Sequence, residues 1–451
     1  MSELFDRAMT LLERVADGEE MEVFVARGVE TEVQAYGGDI ENLSSSASAE
    51  IGIRILVDGP QGARVGSAYA GSLDEEAIAE ALSNARDNAR FATEDEFVAF
   101  ARPDGVMPAS LSLSDPAVAA TTMEKKVKMA LELEAMVRGG DPRIRQVDAA
   151  NYSDYVSDSA IVSTTGIAAS LERSGAFVSV EAIASDGEQD QTGWGLSVGR
   201  TPGELSLETA AGDAIRRATR MLGAVKPPSF KGVAVFDPRT AATLWSIMGS
   251  ALSGDAVVRG RSFFAGRLDE VVASAAVTLI DDPTDARHFA ASPFDAEGLA
   301  SRRNELISDG RLRQFVYDTV SGRRAGTAST GNAVRAGVSG SPSAGCRALQ
   351  LVAGAYDQDE ILRRVGNGVF VESLTGVHSG VNPISGDFSV GITGLMIRDG
   401  VLAEPVREVT IASTLQRMLL DVMMVGSDVQ WLPGTAAAQT LAVDGVALSG
   451  R

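Results

Sequence analysis

Alternating apolar and polar residues fill most of the first quarter of the chain, between two segments with helical periodicity. The helical segments are residues 4–16 and 73–92, where apolar side chains recur every three or four positions. Between them, four stretches alternate with a period of two, as half-buried strands do: residues 21–28, 31–38, 50–59 and 63–71. The pattern predicts a helix, a set of strands and a second helix.

The same order of elements recurs in the next hundred or so residues. Residues 120–138 and 206–222 have helical periodicity. The strand-like stretches between them are residues 159–165, 167–175, 176–187 and 193–200. Residue identity between the two halves is weak, but their shared order of elements indicates an internal duplication.

The remainder of the chain is richer in strands and turns. Asp-Gly pairs at 309–310, 399–400 and 444–445 each lie between alternating apolar runs, which is a strong short-range signal for a β-hairpin. We therefore expect the C-terminal part to be a mostly antiparallel β-sheet or barrel with inserted helices.

These patterns indicate an α+β fold with an N-terminal α+β unit, a second α+β unit and a C-terminal β-rich domain. Stretches in which Pro, Gly and charge replace periodicity separate them. The predicted boundaries are 1–93, 119–223 and 232–451 for the domains, and 94–118 and 224–231 for the linkers.

One helix of the C-terminal domain has clear start and stop signals. Asp237 can cap its amino end, Pro238 suits the first helical position, and Gly254 suits its end. The apolar residues that follow the i, i+3, i+4 rule predict one buried face: Ala241, Leu244, Trp245, Met248, Ala251 and Leu252. On periodicity alone this is a core helix.

The chain contains few of the residues that enzymes use for catalysis. Its two histidines, His288 and His378, are far apart in sequence, so no HExxH-type metal helix can be written. The single cysteine, Cys346, excludes a multi-thiolate metal site, and a small buried apolar residue is the commoner role for it. A Cys346–His378 dyad stays open, because such partners meet in space rather than in sequence. A site made of carboxylates alone also stays open, although the acidic clusters are typical of solvated loops.

Two polar loops are the remaining candidates for binding. Residues 329–335 and 379–391 concentrate Gly, Asn, Ser and Pro, which favour exposed backbone amides and unusual dihedral angles. Such loops can hydrogen-bond an extended peptide, although ordinary connecting turns fit the spacing equally well. The candidate residues of a peptide or partner cleft are Ser329, Gly331, Asn332, Asn382, Asp387 and Phe388.

The chain is strongly acidic, with 40 basic against 61 acidic residues and a formal charge of −21. Such a surface repels phosphate backbones and anionic lipids, so we expect neither nucleic acid nor a membrane as a partner. The first residues lack the basic and apolar pattern of a leader peptide, and no apolar run of about 18 residues occurs. We therefore expect a cytoplasmic protein.

Four motifs resemble those of the TldD/PmbA family, historically called modulators of DNA gyrase and understood as cytoplasmic metallopeptidases. The motifs are SPFDAEGLASR (292–302), STGNAVR (329–335), SGVNPISGDFSVGITGLMIRDG (379–400) and EPVREVTIASTLQRML (404–419). The resemblance extends over essentially the whole chain and is to the PmbA branch, also called TldE. It implies two kinds of chain: a TldD chain with an HExxxH helix and a later cysteine as metal ligands, and a TldE chain that lacks them.

Aligned with the TldD pattern, the helix that begins at Pro238 contains a degenerate metal motif. Trp245 and Ser246 stand where the first His and the Glu would be, and Ser250 stands where the second His would be. The segment that corresponds to the cysteine loop, residues 426–440, contains no cysteine. The resemblance therefore implies neither a catalytic residue nor a metal ligand in this chain.

The sequence thus predicts a non-catalytic, TldE/PmbA-like subunit of a heterodimeric TldD/TldE metallopeptidase that degrades or processes unstructured peptides. The resemblance implies no cofactor in this chain and a zinc-type metal in the TldD-like partner, so we expect the chain alone to be inactive. Two alternatives stay open. One is a metal-free, homodimeric peptide-binding module, and the other is an independent hydrolase that uses Cys346 and His378.

Overall fold

The computed structural model describes residues 3–451, which divide into two compact units. The first unit comprises Met1–Leu222, Ser292–Ala300 and Arg335–Pro342, and the second comprises Gly223–Ala291, Ser301–Val334 and Ser343–Arg451. Both predicted N-terminal units thus lie in one compact body. No helix within residues 3–451 is long and apolar enough to cross a membrane.

The first unit, as described from residue 3 onward, combines six long strands with five helices. The helices are α1 (Glu3–Leu11), α2 (Glu75–Phe91), α3 (Ala117–Ala120), α4 (Met123–Gly140) and α5 (Leu207–Thr219), with 3-10 turns at Leu12–Arg14 and Pro202–Glu204. The strands are β1 (Glu19–Tyr36), β2 (Asp39–Gly59), β3 (Gly62–Ala70), β4 (Ile144–Ser163), β5 (Ala168–Ser185) and β6 (Asp190–Gly199).

All six strands form one antiparallel sheet in the order β3-β2-β1-β4-β5-β6. The first strands of the two repeats, β1 and β4, are neighbours at its centre, and the later strands of each repeat extend outward from them. The predicted duplication of helix, strands and helix is therefore confirmed. The structure joins the predicted strands 21–28 and 31–38 into the single strand β1.

Two apolar clusters lie on one face of this sheet, each beneath a pair of helices. Val23 and Val25 of β1 pack with α1 and α2, whereas Val33 and Ala35 of the same strand pack with α4 and α5. Alternate residues of a strand share a face, so Val29 lies on this face as well. It falls between the two helix pairs and is exposed.

Glycines bring α5 close to the sheet. A Cβ at Gly195 of β6 would lie 1.8 Å from the carbonyl oxygen of Ala210, and a Cβ at Gly193 would lie 2.2 Å from that of Ala214. No larger residue fits at either position without moving the helix. The Gly-rich stretch 193–199 is therefore a strand that packs against a helix, as its alternation predicts.

The second unit contains thirteen strands and six helices among the described residues. The strands are β7 (Phe230–Phe236), β8 (Leu279–Asp281), β9 (Asn304–Ser308), β10 (Arg311–Leu312), β11 (Ala333–Val334), β12 (Ser343–Ala344), β13 (Leu349–Leu351), β14 (Gly368–Thr375), β15 (Asp387–Arg398), β16 (Val401–Thr414), β17 (Val422–Val425), β18 (Ala436–Ala437) and β19 (Leu441–Ser449). The helices are α6 (Pro238–Ala251), α7 (Gly254–Val258), α8 (Thr319–Ala325), α9 (Gln358–Val365), α10 (Val377–Gly380) and α11 (Leu415–Leu420).

A closed five-stranded barrel forms the core of the second unit. Its strands follow the order β16-β15-β14-β7-β19, and β16 pairs again with β19 to close the ring. Only the β14–β7 pair within this ring is parallel. A smaller sheet has the order β10-β9-β8-β13-β18. The expected α+β fold with a mostly antiparallel C-terminal sheet or barrel is confirmed.

Two of the three predicted hairpins are present. Asp309-Gly310 joins β9 to β10 and Asp399-Gly400 joins β15 to β16, with positive φ at all four residues, as tight hairpin turns require. The prediction at 444–445 is wrong. Asp444-Gly445 lies inside β19, which pairs with β7 on both sides of it, so these residues form a β-bulge.

The predicted end of the helix that begins at Pro238 is also corrected. Helix α6 ends at Ala251, and Gly254 instead begins α7. A Cβ at Gly254 would lie 2.1 Å from the ring of Tyr317. The glycine is therefore explained by this close approach rather than by a helix end.

Candidate functional site

Helix α6 is fixed at its start by local chemistry and along one side by packing. The Asp237 side chain accepts a hydrogen bond from the backbone N–H of Thr240 at 2.8 Å, and Pro238 occupies the first turn. Leu244 and Trp245 belong to the core cluster of the second unit. Trp245 is only 1% exposed, which confirms that it lies on the buried face.

The opposite side of α6 borders a cavity of about 450 Å³. Ser246, Gly249 and Ser250 line it from the helix, and Ser253 and Asp255 follow in the chain. The other lining residues are Ala256, Arg261, Val334, Ser343, Ala344, Gly345, Cys346, Leu349 and Thr435. Ser246 and Ser250 are four residues apart, so they share one face of a regular helix.

Hydroxyl groups supply most of the polar side-chain chemistry in this cavity. The Thr435 hydroxyl donates to Ser246 Oγ at 2.9 Å, and Ser250 donates to the carbonyl oxygen of Ser246 at 3.3 Å. Ser253 donates to the carbonyl oxygen of Ala344 at 2.9 Å. The Thr435–Ser246 bond connects α6 to segment 426–440, and the Ser253 bond connects the residues after α6 to Ala344.

Cys346 approaches α6 at a glycine. Its Sγ lies 3.6 Å from the carbonyl oxygen of Gly249, and a Cβ on that glycine would lie 3.4 Å from the Cys346 Cβ and 2.5 Å from the Leu349 side chain. Burial, followed by the nearby Asp281 carboxylate, raises the pKa of the Cys346 thiol well above its usual range. The thiol is therefore protonated at neutral pH, and a protonated thiol is a poor nucleophile and a poor metal ligand.

A buried polar network supports the wall that contains Cys346. The Asp281 carboxylate accepts hydrogen bonds from the backbone N–H groups of Arg347 and Ala348 at 2.8 and 2.7 Å. Its second oxygen accepts from Asn332 Nδ2 at 2.6 Å, and Asn332 Oδ1 accepts from Asn304 at 2.8 Å. Burial nevertheless raises the pKa of Asp281. The network fixes the backbone around Cys346.

The residues around the cavity do not fit a zinc-type metal. Such metals are bound by imidazole, thiolate and carboxylate groups. Here the donors are serine and threonine hydroxyls and a protonated thiol, and the Asp255 carboxylate forms two bonds with Arg259 at 2.8 and 2.9 Å. Across residues 3–451, no three His, Cys, Asp or Glu side chains are grouped to hold a metal ion.

The structure separates the three degenerate motif positions. Ser246 and Ser250 line the cavity, whereas the Trp245 side chain lies in the core and is not part of the cavity lining. The segment 426–440, aligned with the cysteine loop, contributes Thr435 to the cavity. The sequence did not predict Ser253 or Arg261 as lining residues, which contacts between distant segments bring to the cavity.

Hydrogen bonds within the first polar loop, residues 329–335, and to Tyr317 fix its conformation. Ser329 donates to the carbonyl oxygen of Tyr317 at 3.1 Å and accepts from the N–H of Gly331, which has a φ of 73°. Asn332 is fully buried and bonded to Asp281, so its side chain is not accessible to a peptide. None of Ser329, Gly331 and Asn332 is a lining residue of the cavity.

The second polar loop is a tight, exposed turn. Asn382 Oδ1 accepts from the N–H groups of Ile384 and Ser385 at 2.9 and 3.2 Å, and Ser385 donates to Asp387 at 2.7 Å. Asn382 and Asp387 are exposed. Phe388 is 1% exposed and packs in the core, so it anchors the loop and cannot contact a peptide.

The structure does not assemble the Cys346–His378 pair. His378 is exposed on α10, whereas Cys346 lines the cavity beside α6. Within the described residues no hydrogen bond joins the two side chains, and the thiol's bond is to Gly249. The geometry required for a base to activate the thiol is absent there.

Comparison with known proteins gives a consistent result along the chain. Three domain models of the PmbA/TldA metallopeptidases match it: domain 1 at residues 21–89, the central domain at 117–222 and the C-terminal domain at 231–450. The metalloprotease PmbA of Escherichia coli O157:H7 is 26% identical over 439 residues, which cover 95% of this chain and 92% of that protein. A metalloprotease of Methanothermobacter thermautotrophicus is 31% identical over 285 residues, or 62% of each chain.

Solved structures resemble the whole chain. A Bacteroides thetaiotaomicron protein assigned as a modulator of DNA gyrase has a TM-score of 0.89 and 25% identity, with complete coverage of both chains. TldE from Thermococcus kodakarensis has a TM-score of 0.88 and 22% identity, covering 98% of this chain and all of that one, and so supports the fold. The domain matches, the relatives and the fold agree: this chain belongs to the TldD/PmbA family of metallopeptidase-like proteins.

Proposed function

We propose that this chain is the non-catalytic subunit of a two-chain peptidase, in which a TldD-type partner carries the zinc-type metal and this chain completes the chamber for unstructured peptides. The observation that carries the proposal is the chemistry of the cavity beside α6. Trp245 and Ser250 stand at the positions aligned with the two histidines, and the hydroxyls of Ser246, Ser250 and Thr435 line the cavity. The cavity is kept, but its side chains cannot hold the metal.

The supporting comparisons are of two kinds. Relatives named metalloprotease PmbA match nearly the full chain, and a metalloprotease TldD homologue of Buchnera aphidicola is 26% identical over 322 residues. The TldE structure shares the fold. Because both branches share this architecture, a chain that has lost the ligands can still keep the surfaces that assemble with a partner.

The state of Cys346 argues against the independent hydrolase. Burial keeps its thiol protonated at neutral pH, and the exposed His378 is not bonded to it in the described part of the chain. A cysteine hydrolase needs a thiolate paired with a base. The alternative of a metal-free, homodimeric peptide-binding module predicts the same inactivity of the isolated chain but no dependence on a partner.

The proposal is tested by measuring cleavage of an unstructured, fluorescently labelled casein by three samples: this chain, a TldD-type chain and their mixture. We expect no cleavage by this chain and faster cleavage by the mixture than by the TldD-type chain alone. A chelator should abolish the activity of the mixture. Native mass spectrometry should detect a complex with one copy of each chain.

A matched variant asks whether this chain can be made catalytic. Trp245→His, Ser246→Glu and Ser250→His together restore the residue types of the motif. Position 245 points into the core, and residues 426–440 supply no cysteine, so the triple variant should remain inactive without a partner. Cleavage by the unmodified chain alone, unaffected by chelator, would show that the proposal is wrong.

A further inference from the structure

Half of strand β2 in the first unit has no neighbour on one side. β1 pairs with β2 along its whole length, but β3 pairs only with its second half, Ile51–Gly59. Residues 39–50 therefore form a free edge, and no strand of the described chain pairs with it. Residues 41–48 are exposed on both faces of the sheet.

Apart from a β-bulge at Glu41, this edge lacks the features that normally prevent edges from pairing. Its sequence, DIENLSSSASAE, contains no lysine and no proline, and is uncharged from Asn42 to Ala49. Every second residue of such an edge presents an unpaired N–H and C=O outward. A partner strand along residues 39–50 would continue the line that β3 occupies next to residues 51–59.

A groove reaches this edge on the helical face of the sheet. It has a volume of about 390 Å³ and lies in the gap between the two helix pairs. Its floor is apolar at Val29, Ala47, Ala49 and Val156, and the Arg27–Asp158 ion pair, at 3.2 Å, borders it. Val29 is 51% exposed. A side chain that enters the groove from the edge would cover this apolar floor.

The opposite face beside the same edge is acidic. Glu30 and Glu32 of β1 pair with Ser46 and Ser44 of β2, and Glu50 lies on the same face. Both β1 glutamates are exposed, and none of the three forms an ion pair within residues 3–451. A cation on the outer side of the edge would reach these carboxylates.

We propose that residues 39–50 bind an extended polypeptide segment as an added β-strand, with apolar and basic side chains alternating along it. The apolar residues face the groove at Val29, Ala47 and Ala49, and the basic residues face Glu30, Glu32 and Glu50. The period of two in a strand gives the two faces their different specificities. This inference goes beyond the proposed function and does not depend on it.

A second copy of this chain fits the edge poorly. Pairing of two β2 edges would place Glu30, Glu32 and Glu50 of both copies on one face of a continuous sheet, where their charges repel. The formal charge of −21 adds to that repulsion. The charge of the edge therefore favours a basic partner segment.

The test uses the full chain and a capped peptide of alternating lysine and valine, about ten residues long, the length of a long strand. Fluorescence anisotropy should detect binding that weakens with salt, and hydrogen exchange should slow at about half of the amides in residues 39–50. The same peptide with methylated backbone nitrogens, and a peptide of alternating glutamate and valine, should not bind.

Two variants separate the two faces. Glu30→Gln with Glu32→Gln should weaken binding about fivefold, because two exposed ion pairs are lost. Ala47→Arg should weaken it more, since a cation then fills the groove and repels the peptide. Glu76→Gln with Glu80→Gln on α2, and Phe91→Arg at the exposed end of the same helix, carry the same charge changes away from the free edge and should bind as the unmodified chain does.

Three results would overturn the proposal. The first is no binding of the lysine–valine peptide at low salt. The second is binding without protection of residues 39–50, or binding that the control variants weaken as much as the edge variants. The third is protection of these residues without peptide in a dimer of this chain, which would make a second copy the occupant.

Discussion

The two faces of α6 are fixed by different physical requirements. On one face, Trp245 and Leu244 fill a close-packed core, where any change of volume is costly. On the other, Ser246 and Ser250 border a cavity, and their hydroxyls bond to Thr435 and to the helix backbone. The comparison shows that packing on one face can fix the position of a helix while the side chains on its other face remain free to differ.

The strongest test of the comparison is Trp245→Ala. The side chain is 1% exposed and lies in the largest cluster of the second unit, so truncation leaves a large void. We expect a loss of about 3–5 kcal/mol in the free energy of unfolding, measured by urea denaturation. The buried indole Nε1–H has no hydrogen-bond partner within residues 3–451.

Trp245→Phe is the matched control for that variant. Phenylalanine keeps most of the ring and removes an N–H that burial leaves without a partner. We therefore expect a much smaller loss than for Trp245→Ala. If Trp245→Ala is as stable as the unmodified chain, the ring does not support the core, and the contrast between the two faces of α6 fails.

The face of α6 that borders the cavity contacts segment 426–440 through Thr435. The buried His288 packs against Trp431 of that segment. The His288 ring meets the edge of Trp431 at 4.8 Å between centroids, and Arg287 lies over the same indole. Burial lowers the pKa of His288 to about 4, against the opposing effects of Asp285 and Asp282. The native state therefore keeps this ring neutral.

The sign of the pH effect follows from that shift. Between about pH 6.5 and pH 4 the His288 side chain is protonated in the unfolded chain but stays neutral in the native state. The contribution of the neutral ring to the free energy of unfolding is therefore complete above pH 6.5 and is lost as the pH falls toward 4. The loss amounts to about 3 kcal/mol across that window. We expect His288→Phe to unfold with a shallower pH dependence there. His378→Phe, at an exposed site, should keep the original slope, and equal slopes for all three proteins would contradict the prediction.

The sequence predicted most of the fold because periodicity reports which face of an element is buried. The prediction of strands from periodicity failed where a strand has consecutive exposed residues. Between the two helix pairs Val29 and Glu30 are both exposed, so alternation is lost there and β1 was divided into two predicted strands. Asp444-Gly445 has the residue types of a hairpin turn, but a bulge also accepts a glycine with positive φ, here Gly445, so the sequence does not distinguish the two.

The sequence predicted those residues of the candidate site that a motif identifies by residue type and position. Ser246 and Ser250 follow from the motif, and both line the cavity. The loop residues were less predictable, since polarity does not distinguish an exposed amide from a buried one. Asn332 is polar because it bonds Asp281 and Asn304 in the interior, and Phe388 anchors its loop in the core. Such contacts join residues that are distant in sequence.

The smallest expected effects are those of Ser246→Ala and Ser250→Ala. Ser250 is exposed and its hydroxyl returns to the backbone of its own helix, so its removal should change the free energy of unfolding by less than about 0.5 kcal/mol. Ser246→Ala should cost slightly more, because it also removes the hydrogen bond that the exposed Thr435 hydroxyl donates.

The double variant of Ser246→Ala and Thr435→Val tests that reasoning. Because Thr435 is exposed, water can replace either lost partner, and the double variant should cost about as much as Ser246→Ala alone. Urea denaturation of the single and double variants gives the coupling energy between the two residues. A loss of several kcal/mol in either single serine variant would mean that the cavity face also supports the fold. The two faces of α6 would then not differ in what fixes them.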